Sequence, residues 1–419
     1  MKKILFILLL CLSYVPFANA NTAVFTPDLN IRIRHVILDM QDNYDKFNSN
    51  YIRIRTSLGL NTQLNETYSA YIKLLNENRV FFYNTKNADD DYKINEFIFE
   101  SLYFEAQNLF DNSLTLRIGR QNLNYGENFL VSDGTPGDGS RTIYFNAAKF
   151  SFKAKDFTVD LIGHLGTEYD QYLPVFNQND PKTRLNLQNE KAVMLFGKSN
   201  LSERLYIEPY YIFKSENNKI YEQLNTFGSY VKYNSDTLTV RGQLASQIRE
   251  KQSNSANAFA GYAFIDKQKI LFNDKITFGY IYLSGDKQNT SGNEGWNDLF
   301  GRGMFINSDL LGTLYIPETG DFGYWTNLQM YNIEYKLDLT SKFCLSASYN
   351  LLYANENVAG SLFGTGKTRG HLTLAGLFYQ FNKNTKALIY AEYFKAGDFY
   401  NTNQLDNATF VKTEITMKF

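Results

Sequence analysis

Apolar and polar side chains alternate with period two in many short runs along this chain. The C-terminal run is the clearest. Val411, Thr413, Ile415, Met417 and Phe419 fall on one face, and Lys412, Glu414, Thr416 and Lys418 on the other. Upstream, Ile31, Ile33 and Ile37 alternate with Arg32, Arg34 and Val36, and Ile52, Ile54, Leu58 and Leu60 alternate with Arg53, Arg55 and Ser57. Leu238, Val240 and Leu244 alternate with Thr239, Arg241 and Gln243; Phe343, Leu345, Ala347, Tyr349 and Leu351 alternate with Cys344, Ser346, Ser348 and Asn350. Successive strand residues point to opposite faces, so each run predicts a strand with one apolar and one polar side.

Eighteen such strands are predicted, centred near residues 34, 56, 71, 100, 117, 148, 160, 195, 209, 228, 242, 260, 280, 331, 347, 375, 390 and 413. Sixteen is the alternative count if ambiguous boundaries merge. Eight connections are short and rich in turn-forming Asn, Asp, Ser and Lys: 61–66, 107–112, 154–156, 199–204, 234–237, 265–274, 336–341 and 382–385. Nine are longer: 40–49, 76–94, 122–140, 165–190, 215–221, 248–255, 286–326, 354–369 and 396–406. Short and long connections alternate, as they do in a closed barrel with turns at one rim and loops at the other. The expected fold class is all-β, a closed antiparallel transmembrane β-barrel.

Composition supports this. Aromatic residues make up 16% of the chain, with 31 Tyr and 34 Phe, while Pro is scarce at seven. No stretch after the N-terminus approaches the ~18 apolar residues of a spanning helix. A soluble periplasmic β-protein is the rival that composition alone leaves open. Residues 1–20 read as a cleaved secretory signal, with basic Lys2 and Lys3, apolar Ile4 to Leu12, and the small-x-small sequence Ala18-Asn19-Ala20. Leu10 ahead of Cys11 is too bulky for a lipoprotein signal. Residues 21–419 then form one barrel domain, exported to the bacterial outer membrane. Ending on Phe419 resembles the terminal signal read by barrel-assembly machinery. Loss of Lys2 and Lys3 leaves 40 basic and 43 acidic residues. That balance argues against a nucleic-acid partner, which calls for a basic excess. Cys344 alone remains in the mature chain, so no internal disulfide forms, and no Cys/His pattern calls for a metal or cofactor.

An eighteen-stranded barrel encloses an aqueous channel, so the inward polar set governs passage. In the first strands that set is cationic: Arg32, Arg34, Arg53, Arg55 and Lys73. Arg117, Lys149, Lys153 and Arg241 follow on polar faces, among carboxylates that include Glu96, Glu100, Asp160, Glu208, Glu334, Glu392 and Glu414. Two readings stand side by side: a cationic track for an acidic solute, or Arg–Glu pairs that merely pack the lumen. Arg120 shares the parity of outward Leu114, Leu116 and Ile118, so it either snorkels at the interface or follows a bulge inward. Leu75 has the inward parity of Lys73. Loop 286–326 carries Trp296, Trp325, Phe300, Phe305, Tyr315 and Phe322. It reads as a gate folded into the pore or as an aromatic belt at the membrane boundary. Segment 133–140 and Asp89 to Asp91 read as solvated loops rather than phosphate or Ca²⁺ sites. His35, His164 and His371 stand in no compact motif with a Ser and an acid, which weighs against a barrel lipase and against enzymatic activity in general.

At 118–150 the sequence becomes more specific. Ile118-Gly119-Arg120-Gln121, Tyr125-Gly126, Arg141 and Phe145-Asn146-Ala147-Ala148-Lys149-Phe150 resemble the alginate-export porin family, as does Tyr282-Leu283-Ser284-Gly285-Asp286. The resemblance implies a monomeric eighteen-stranded barrel with an electropositive pore for an acidic polysaccharide. It assigns the family's basic pattern to Arg120, Arg141 and Lys149 and favours an inward Arg120. Asn146, Ala147 and Lys149 stand where the family has Asp, Gly and Arg, which puts alginate itself in question. The resulting expectation is an outer-membrane porin for an anionic polysaccharide or small anion, lined by Arg32, Arg34, Arg53, Arg55, Arg117, Arg120, Arg141 and Lys149. A general diffusion porin, a structural barrel and a lipase are the alternatives.

Overall fold

The computed structural model describes residues 24–40, 47–84, 97–132, 145–176, 188–217, 221–251, 254–301, 305–306, 308–320, 323–401 and 403–419. The segment 1–20, Asp89 to Asp91, segment 133–140, Arg141 and Phe322 lie outside the described residues.

The period-two runs fold as eighteen strands: β1 (Val24–Met40), β2 (Ser49–Gln63), β3 (Tyr68–Asn84), β4 (Ile98–Asn108), β5 (Leu114–Gln121), β6 (Phe145–Lys153), β7 (Phe157–Gly166), β8 (Asn189–Asn200), β9 (Leu205–Asn217), β10 (Tyr221–Asn234), β11 (Leu238–Lys251), β12 (Asn254–Gln268), β13 (Asp274–Leu283), β14 (Leu328–Thr340), β15 (Phe343–Tyr353), β16 (Thr368–Asn382), β17 (Thr385–Ala396) and β18 (Asn407–Lys418). Every predicted centre lies inside one of them. Each strand pairs antiparallel with its sequence neighbours, and β1 pairs with both β2 and β18, so the sheet is a closed barrel. Closure satisfies the backbone hydrogen bonds that a bilayer leaves unmet. Among the described residues no helix is long and apolar enough to cross a membrane; the strands do the crossing.

Side-chain alternation fixes which face is which. On β8 exposed and buried positions alternate for eight residues, with Ala192, Met194 and Phe196 buried and Val193 and Leu195 exposed. Leu58 and Leu244 are exposed on the lipid side, while Arg32, Arg34, Arg53 and Arg55 are buried on the inner side. Cys344 is a half-buried, unpaired wall residue.

The expected longer connections 215–221 and 248–255 are corrected. β9 runs to Asn217 and β10 begins at Tyr221, and β11 runs to Lys251 with β12 resuming at Asn254. Their polar Ser, Asn, Lys and Glu residues read as loop, yet here they extend two hairpins. A strand rising beyond the bilayer has water on its outer face and needs no apolar row there. β3 likewise runs to Asn84, well into the expected loop from 76.

Two irregularities shape the wall near β4 and β5. The β3–β4 register shifts between Lys73 and Leu74, so Glu100 is the extra residue of a bulge. Glu100 and Ser101 are consequently both buried. Leu75 is inward, 1% exposed, and packs with Ile98 and Val175. Gly119 adopts φ +129°, and a Cβ there would meet the Leu102 carbonyl oxygen at 2.2 Å, so the strand takes this path only with glycine.

Candidate functional site

The cationic row of the first strands forms one continuous patch. Register places Arg32 opposite Arg55 and Arg34 opposite Arg53 across β1–β2, and Arg34 opposite Glu414 across β1–β18. Like charges facing each other repel, so such a patch needs carboxylates around it. Arg34 Nε donates to Glu414 at 2.7 Å, and its Nη2 lies 2.6 Å from the same oxygen. Arg32 Nε is 3.9 Å from Glu414. Arg53 pairs with Glu77 at 2.5 Å. Arg55 and Lys73 approach Glu100 at 3.8 and 3.6 Å. Arg55 and Lys73 therefore pair only loosely with Glu100, at 3.6 Å or more. Arg32, Arg34, Arg55 and Lys73 line a cavity of about 700 Å³ that opens toward the turn at Ser341–Lys342 and the C-terminal strand. Short turns mark this as the periplasmic end.

The remaining predicted cations are placed differently. Arg117 and Lys149 face one another across β5–β6. Arg117 is held by Glu105, to which its Nε donates at 2.6 Å, and stacks 4.4 Å from the Tyr103 ring centre. Lys149 sits 3.4 Å from Asp160, which also accepts from Lys198 at 2.9 Å and from the Tyr125 hydroxyl at 2.7 Å. Arg120 pairs with Leu102 and Asn146, is 2% exposed and so does not snorkel at the interface, and does not line the 700 Å³ cavity. Instead Asp170, from the loop after β7, covers it. Arg120 donates to both Asp170 oxygens at 2.8 and 2.9 Å, to Phe99 O at 3.0 Å and to Asn146 Oδ1 at 2.9 Å. That geometry makes Arg120 a clamp between the wall and a loop.

Two loops fold back into the barrel. In the first, Tyr125 stacks on Phe196 with centroids 3.8 Å apart, and Gly126 N donates to Glu208 at 3.0 Å. Glu127 accepts from Arg241 at 2.6 Å, Tyr230 at 2.9 Å and Tyr262 at 3.2 Å. The second, between β13 and β14, is the expected aromatic loop. It joins the first through the bridge Val131–Phe300. Trp296, Phe300, Leu310, Leu311, Tyr315 and Trp325 are all buried against inward residues of the wall. This is the in-pore placement, not the belt. Lys214 donates to Leu299 O at 2.7 Å, and Arg369 grips Glu318 through bonds of 2.7 and 2.9 Å. Tyr315 donates to Thr326 O at 2.8 Å, and burial pushes its hydroxyl pKa well above the usual tyrosine value.

Comparison with known families places this architecture. The sequence profile described as alginate export matches residues 17–413. The chain belongs to the alginate export family. Solved structures carry the same fold at low identity. OccK11 (OpdR) of Pseudomonas aeruginosa superposes with a TM-score of 0.61 at 9% identity, covering 94% of this chain and 96% of that one. OccK2 (OpdF) of the same organism, solved in complex with glucuronate, gives 0.61 at 11%, covering 94% and 98%. OccAB1 of Acinetobacter baumannii gives 0.62 at 11%, covering 94% and 96%. No curated protein matches the chain. The family and the fold together are those of outer-membrane porins.

Sequence reasoning missed several residues that shape this alginate-export porin's lumen. Lys412 lines the same cavity as the arginines. Lys214, Arg249 and Arg369 hold the inner loop. Lys412 has the inward parity of Glu414, a signal present in the sequence. The partners of the other three lie far along the chain, so no local pattern marks them.

Proposed function

We propose that the pore gives passive passage to an anionic solute, with the arginine patch on β1 and β2 as its concentrating surface. The observation that carries this reading is the facing set Arg32, Arg34, Arg53 and Arg55, in which Arg55 and the neighbouring Lys73 pair only loosely with Glu100 along a cavity that Arg32, Arg34 and Arg55 line. Guanidinium groups make planar, bidentate contacts with carboxylates. Loose, repeated contacts of that kind hold a solute without trapping it, as conduction requires.

Membership of the alginate export family supports an acidic saccharide as the solute class, and the fold neighbour OccK2 was solved with glucuronate. A small uronate is favoured over a polymer by one observation: two loops pack into the lumen, and a polymer has to displace them. Lys149 in place of the family's Arg points the same way, because Lys keeps charge and loses the planar grip.

Single-channel recording of the refolded protein under a salt gradient, with oligouronates added, tests this. Anion-selective steps blocked by oligouronate uphold it. Large, unselective and unblocked steps make the protein a general diffusion porin.

A further inference from the structure

The tip of the inner loop rests on the cationic patch itself. The helix Asp309–Leu314 begins against β17, where the Glu392 carboxylate accepts from Ser308 Oγ at 2.5 Å, Asp309 N at 2.9 Å and Leu310 N at 3.2 Å. Beside it Lys412 Nζ donates to Asp309 Oδ2 at 3.0 Å. Lys412 is 3% exposed and packs over the Tyr390 ring at 4.9 Å. On β18 it is the inward residue next to Glu414, and it lines the cavity that Arg32, Arg34 and Arg55 line. Asp309 and Glu392 are thus two carboxylates close together, both under the influence of Lys412.

We propose that Lys412 is a carboxylate-binding site of the pathway, and that Asp309 is its resting occupant. The inference rests on the anionic-solute reading. A solute carboxylate that has moved along the arginines meets Lys412 next and competes for the same ammonium. Once it wins, Asp309 stands unpaired between Glu392 and the newcomer, and like charges at that range repel. Apart from Glu392, whose charge then repels Asp309, the loop's other attachments, at Leu299, Glu318 and Gly295, lie elsewhere on the wall. The tip therefore swings while the base holds. An uncharged sugar cannot make this exchange, so the latch opens only for the class of solute that the patch attracts.

The test records the refolded full chain in a planar bilayer, as wild type, D309N, K412Q and the swap D309K/K412D, after heat-modifiable gel mobility has shown each to be folded. Sodium glucuronate is the probe and glucose the control. In the wild type, glucuronate lengthens the open dwell by about tenfold, the scale of one charge-assisted bond, and glucose has no effect. D309N and K412Q show the long dwell without glucuronate and gain nothing from it. The swap restores the short dwell and no longer responds. A wild-type dwell and response in both D309N and K412Q overturns the latch, as does opening by glucose. Reversal potential in the same recordings reads selectivity separately. A cation-selective channel that still opens on glucuronate removes the anionic-pathway reading and keeps the latch; an anion-selective channel indifferent to Asp309 does the reverse.

Discussion

The two halves of the lumen use the same residue types for opposite ends. Along β2 and β3, Arg55 and Lys73 border an open cavity, and their carboxylates stand 3.6–3.9 Å away. Along β9, β11 and β16, Lys214, Arg249 and Arg369 are covered by loop. Lys214 contacts Glu190 at 3.1 Å and Glu216 at 2.6 Å, and Arg249 meets Glu222 at 2.7 Å. Inward charge is common to both sides. What differs is whether a loop carbonyl or a carboxylate has taken every donor. A cation with satisfied donors fixes structure, and one with spare donors beside water is available to solute.

The largest effect expected from this contrast is at Arg369. R369A leaves the Glu318 carboxylate buried and unpaired, which costs roughly 3–5 kcal/mol. The urea midpoint in detergent should fall sharply, and the freed loop should raise conductance. An unchanged midpoint would erase the distinction between the two walls. G119A sits on β5, near where they meet. The new Cβ would clash with the Leu102 carbonyl, and holding a positive φ without glycine costs about 1–3 kcal/mol. The same unfolding assay reads it.

On the open wall, R32Q/R55Q should lower the anion-to-cation permeability ratio by about tenfold, ~1.4 kcal/mol, measured as reversal potential. Raising salt from about 0.1 M to 1 M shortens the screening length from about 10 Å to 3 Å, so the wild-type preference should fade toward that of the double variant. Smallest is K149R, which returns a planar guanidinium to β6 beside Asp160 and should tighten oligouronate block by about twofold.

The barrel was legible because period-two patterning is local: Ile31, Arg32, Ile33 and Arg34 alone declare which face meets lipid. The inward arginines followed from the same parity. The overrun of β9–β12 past their expected ends was hidden, since Ser215, Asn217, Asn254 and Ser255 look alike in a loop and in a hairpin rising into water. Arg120 was beyond reach for another reason. Its parity left two placements open, and Asp170, fifty residues on, decides its surroundings. The inner loop's attachments are equally non-local, with Arg369 and Glu318 separated by 51 positions and Lys412 and Asp309 by 103.

One pairing has a further consequence for how the pore comes into being. All the other strand neighbours are consecutive in sequence, whereas β1 and β18 meet across nearly the whole chain, from Asn30–Lys418 to Met40–Ala408. Arg34 and Glu414, 380 residues apart, bridge that seam. Hairpins form early because their ends are near, and the seam bears the cost of the longest loop closure. The arginine patch straddles this joint, with Arg32 and Arg34 on one lip and Lys412 and Glu414 on the other. A chain whose other hairpins are all in place but whose seam is open has the β1–β2 arginines but not Lys412 and Glu414 beside them. The cationic patch is then completed in the same step that closes the barrel.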